Sequence, residues 1–89
     1  MEFVVTAKDV SNMFDALIRE TQSRESIEDW ARVRMKAADS HELRFEPRND
    51  EPRLWHAITY LLGVGLRTGP DTYLHSRQDF EGFRQEHKF

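Results

Sequence analysis

Leu54-Trp55-His56-Ala57-Ile58-Thr59-Tyr60-Leu61-Leu62-Gly63-Val64-Gly65-Leu66 is the stretch on which the fold turns. Leu54, Trp55, Ile58, Leu61 and Leu62 recur at helical spacing and make an apolar face too broad for a surface helix. Asp50-Glu51-Pro52 opens the segment with a capping acid and a proline in the first turn, where its missing N–H costs nothing. Gly63 is read as its stop, a residue able to take the left-handed conformation without a Cβ clash. The pattern therefore predicts a central helix followed by a turn-rich crossing at Gly65 and Gly69-Pro70-Asp71. Ser76 stands three residues before Asp79, a cap spacing that starts a last helix from Arg77 to about His87, seated by Phe80 and Phe83.

Upstream the same logic gives two more helices. Val10, Met13, Phe14, Leu17 and Ile18 predict one over about Lys8–Thr21, with Thr6 and Asp9 as its capping pair. A second begins at Ser23 or Ser26 and buries Ile27, Trp30, Ala31, Val33 or Arg34, Ala37 and Ala38. Between Asp39 and Glu51 the helical period fails. Leu43 and Phe45 alternate with polar neighbours, as in a short strand that could pair with Phe3-Val4-Val5, or in an extended loop. The fold class expected is a mainly α single domain of residues 1–89. It has about four helices and a minor two-stranded pairing of residues 3–5 with 42–45.

Eighty-nine residues suffice for one core. Ten aromatics supply large apolar area per side chain. There is no cysteine, hence no disulfide and no thiolate metal site. The N-terminus lacks the basic and long apolar regions of a secretory signal, and no run approaches the roughly 20 apolar residues of a membrane helix. A cytoplasmic protein with no membrane partner is the expectation.

Charge makes up 33% of the chain, yet the net is only −3. Residues 1–30 hold seven acids against three bases, while residues 31–60 hold six bases against five acids. A nucleic-acid binder is expected to show a basic surplus or patch. Arg32, Arg34 and Lys36 are the one candidate cluster, and their spacing of two fans them around a helix beside Glu28, Asp29 and Asp39. A solvated face is preferred, so nucleic acid is disfavoured as a partner.

No catalytic or metal signature survives inspection. His41-Glu42 begins like a zincin motif, but Phe45 stands where the second histidine is required. His56 has Thr59 and Tyr60 at the positions a metal-sharing partner would need. His75 suits a hydrogen bond at the start of the last helix, and His87 lies in the tail. Glycine-rich phosphate loops and a nucleophile elbow are missing. Without a nucleophile, base and oxyanion site together, the expectation is a non-enzyme with no cofactor.

Trp55, Ala57, Tyr60-Leu61, Gly63-Val64, Leu66, Pro70-Asp71, Tyr73-Leu74-His75-Ser76 and Asp79 together resemble small bacterial proteins carrying a YLxGVDL-like helix end and a YLHSxxD-like helix start. Such proteins are loosely associated with immunity partners of bacterial toxins. This chain departs at Gly65, where the pattern carries an acid. The resemblance covers about 30 residues and implies a protein-interaction domain that binds and neutralises a basic bacterial toxin. Asp15, Glu20, Glu25, Glu28 and Asp29 would supply the complementary field. Phe45 and Tyr73, read as loop aromatics, would be the surface anchors. A homodimer through exposed apolar residues of the last helix is a further option. The alternative function is a small regulatory DNA-binding domain using the second helix with Arg32, Arg34 and Lys36.

Overall fold

The computed structural model describes residues 3–70 and 72–89. Its elements run β1 (Phe3–Thr6), α1 (Ala7–Arg19), α2 (Arg24–Asp39), β2 (Leu43–Glu46), a 3-10 turn (Arg48–Asp50), α3 (Glu51–Leu61), β3 (Arg67–Gly69), β4 (Thr72–Tyr73) and α4 (Arg77–Glu86). The expected mainly α architecture of four helices is the observed one.

Local chemistry sets the helix ends. At α1 the Asp9 N–H donates to Thr6 Oγ1 at 3.1 Å, and the Thr6 N–H donates to Asp9 Oδ2 at 3.0 Å. Ser76 and Asp79 close the same reciprocal box on α4. Both satisfy donors that a helix start leaves unpaired. For α2 the cap is Ser23, which accepts from the Ser26 N–H at 3.0 Å. Ser26, the other candidate start, thus sits inside the helix, its hydroxyl donating to Gln22.

Two expectations about α3 are corrected. Asp50 makes no side-chain cap, because its carboxylate takes both Nε and Nη2 of Arg53, at 3.1 and 2.6 Å. Gly63 does not stop the helix in the left-handed conformation, since no described glycine has positive φ. Among the described residues the left-handed ones are Glu20, which ends α1 at φ 58°, His41 at φ 58° and Lys88 at φ 60°.

β1 and β2 pair in parallel, Phe3 opposite Leu43 and Val5 opposite Phe45. Parallel neighbours need a long crossover, and here α1 and α2 provide it. Alternation sends Val5 and Phe45 inward and leaves Val4 and Arg44 outward. An antiparallel hairpin of β3 and β4 fills the crossing after α3, with Arg67 opposite Tyr73 and Gly69 opposite Thr72. The proline turn expected there includes Asp71, which lies outside the described residues.

The buried side chains form one cluster drawing on every helix. Val10, Phe14, Ile27, Leu54, Ile58, Leu61, Val64 and Phe80 are almost completely enclosed. Of Val33 or Arg34, the alternatives for the buried face of α2, Val33 is 44% exposed and Arg34 is the half-buried one. Among the described residues the exposed large apolar ones are Val4, Val33, Trp55, Leu66 and Leu74, none of them on the last helix, the face offered for a possible dimer.

Candidate functional site

The acidic first third does not stand as a free field. Asp15 meets Arg19 Nε at 3.2 Å and Arg84 Nη1 at 3.4 Å. Asp29 pairs with Arg32 one turn along α2. Glu25 lies 3.7 Å from Arg67 Nη2 and accepts from the Tyr73 hydroxyl at 3.4 Å. Glu20 is exposed at the end of α1, and the carboxylate of Glu28 lies over Gly65. The five acids therefore face different neighbours, and three of them are already neutralised.

The two aromatic candidates behave differently from loop anchors. Phe45 belongs to β2 and is 6% exposed, because strand pairing turns it inward; it is core and not a surface anchor. Tyr73 is on β4, held between two cations. The Arg24 guanidinium lies 3.9 Å from its ring centroid and that of Arg67 5.2 Å. Arg24 also donates to the carbonyls of Val64 (3.2 Å) and His75 (2.6 Å), tying α2 to both ends of the hairpin region. Charge-assisted bonds of this kind are worth roughly 1.5–3 kcal/mol each when sheltered.

The three cations of α2 separate as well. Arg34 turns inward over the rings of Trp30 (4.5 Å) and Phe3 (5.3 Å) and donates to the Trp30 carbonyl. Burial pushes its guanidinium below the ordinary arginine value, with Asp9 opposing that shift. Arg32 and Lys36, four apart, share the exposed stripe of the helix with Asp29 and Val33. The expected fan is thus one inward arginine and two outward cations.

A groove of about 550 Å³ opens where α2, β2 and α3 meet, lined by His41, Leu43, Phe45, Glu51, Pro52 and Trp55. Trp55, expected in the core, is 37% exposed on its wall. Its indole packs edge-on against Phe45, with centroids 6.1 Å apart and planes at 87°. An adjoining cleft of about 270 Å³ shares Leu43, Phe45 and Glu51 and adds Arg44 and Arg48. No periodic signal could have marked this site, because it forms only when residues 38–55 fold back on themselves.

Two of the histidines, His56 and His87, lie with ring centroids 4.9 Å apart, and the others stand elsewhere. His56 and His87 flank Phe83, while His75 lies against Tyr60, with ring centroids 5.0 Å apart. His75 Nδ1 is 3.8 Å from Asp79, beside the α4 cap. Among the described residues no group of three or more His, Asp or Glu could hold a metal ion, and no helix is long and apolar enough to cross a membrane.

Fold and surface together define a small helix-rich domain whose acids are largely tied up internally and whose second helix turns two cations outward. The chain belongs to the YxzC DNA-binding protein family, whose profile matches residues 5–87. It is 25% identical over 93 aligned residues to the uncharacterized protein YxzC of Bacillus subtilis (strain 168), covering 98% of this chain and 70% of that protein. No solved structure matches it. Family membership corrects two expectations. The toxin-neutralising role and its basic toxin partner give way to a DNA-binding family, and nucleic acid, disfavoured from net charge, becomes the partner class to which the family points. That expectation rested on the missing basic surplus and on the fanned spacing of Arg32, Arg34 and Lys36, neither of which excludes a small cationic face.

Proposed function

We propose that this chain is a non-enzymatic DNA-binding domain that holds duplex backbone through the exposed stripe of α2. Membership in a DNA-binding family carries the reading. The placement of the charges supports it: Arg32 and Lys36 face outward, and Lys36 has no ion pair among the described residues. The start of α2 holds Glu25, Glu28 and Asp29, which would repel phosphate. The C-terminal half of the helix is therefore the contacting part, unlike a recognition helix that enters the groove by its N-terminal residues. The activity proposed is binding alone. A cytoplasmic location suits a protein whose ligand is DNA.

Fluorescence anisotropy against a labelled duplex tests this. Affinity should fall steeply with salt, with a log–log slope of about −0.9 for each phosphate that the protein neutralises. Arg32→Gln with Lys36→Gln should flatten that slope by about 2 while leaving the melting temperature nearly unchanged. An absence of binding at low salt ends the reading.

A further inference from the structure

The groove between α2, β2 and α3 has a composition that binding to the DNA backbone does not require. Most of its wall is apolar or aromatic, yet Glu51 presents a carboxylate with no side-chain partner among the described residues. Beside it, the Arg48 side chain also has no ion pair or hydrogen bond among those residues. The neighbouring acids are engaged: Glu46 pairs with Arg44 at 3.2 Å, and Asp50 pairs with Arg53. The space is thus an aromatic slot with one open carboxylate inside it and one open cation at its edge. Its volume falls in the range of clefts that enclose small organic groups.

We propose that this slot receives an unpaired base of the bound DNA, stacked on Trp55, with Arg48 on the adjacent phosphate. The inference rests on the DNA-binding reading above. An aromatic face offers stacking to any base, and Phe45 fixes the indole plane so that little further ordering is needed on binding. Glu51 accepts from the exocyclic amino group of adenine, cytosine or guanine, as carboxylates do at base edges. A base still paired within a duplex cannot enter, so the natural occupant is a strand end, an overhang or an unpaired site.

The test compares a blunt duplex with the same duplex carrying a short single-stranded overhang, followed by anisotropy and tryptophan fluorescence. The overhang should bind about tenfold more tightly, the gain expected from one stacked base, and quench the tryptophan signal. Trp55→Leu should remove both the gain and the quench while keeping blunt-duplex affinity, whereas Trp30→Phe should keep the quench. Arg48→Gln, at an exposed position, should reduce the gain by less than Trp55→Leu does and leave the quench in place. Equal affinity for blunt and overhanging duplexes overturns the slot and leaves the DNA reading standing. Equal tightening by an abasic overhang also overturns it, since phosphate alone would then explain the gain. Binding of neither DNA overturns both readings together.

Discussion

The two ends of α3 present aromatic side chains in opposite settings. Towards its C-terminus, Tyr60 stacks on Phe83 at 4.1 Å and neighbours Phe14 at 5.9 Å, beneath α4. Phe14 in turn stacks on Phe83 at 5.3 Å and faces Phe89 at 6.1 Å. Towards its N-terminus, Trp55 has Phe45 for an edge and open space beyond. Both residues sit on α3, five positions apart. What separates them is whether a later element returns to cover that part of the helix. α4 comes back over Tyr60, and nothing described comes back over Trp55. A helix face read from sequence therefore says which residues can be buried, and the rest of the chain decides which are.

Breaking the closed end should have the largest effect. Phe14 is fully enclosed and touches three aromatic rings. Phe14→Ala should cost about 4 kcal/mol, the range for a large core aromatic, and a shift in the urea midpoint measures it. At the open end, Trp55→Leu should cost only about 1 kcal/mol, because part of the indole already meets solvent and leucine refills the space against Phe45. Equal destabilisation at the two positions would mean that the groove is closed in solution.

The smallest effect sharpens the contrast inside the closed end. The Tyr60 hydroxyl is enclosed without a hydrogen-bond partner. Burial, and then the charge of Asp79, push its pKa above the ordinary tyrosine value, with Arg24 pulling the other way. A pKa raised in the folded state means that the folded form keeps its proton longer than the unfolded one. This contribution is complete below about pH 10 and fades as pH climbs through the folded value. Tyr60→Phe should be neutral or stabilising by up to about 1 kcal/mol at pH 7, since it removes an unmatched polar group. It should also weaken the alkaline decline in stability. A Tyr60→Phe protein less stable at pH 7 would show that the hydroxyl has a partner.

Legibility in the sequence follows distance along the chain. Thr6 with Asp9 and Ser76 with Asp79 are readable because a capping box is complete within four residues. The strand pairing of residues 3–6 with 43–46 is readable as far as its partner, but alternation fixes neither the parallel direction nor which face is covered. Phe45 reads as a loop residue for that reason: its burial depends on β1, about forty residues earlier. The acids mislead in the same way. Asp15 is neutralised by Arg84 and Glu25 by Arg67, partners that no local pattern announces. The groove at Trp55 gives no signal, because it is a space and its walls come from three elements.

Glu28 and Gly65 hold a last consequence. A side chain added at position 65 would begin where the Glu28 carboxylate now rests, and that carboxylate is the far end of a flexible chain. The two positions compete for a single seat. Only one of them can fill it, and Glu28 can vacate it at little cost by swinging into solvent. A side chain at 65 should therefore be tolerated with Glu28 left in place, the carboxylate yielding and the backbone staying where it is.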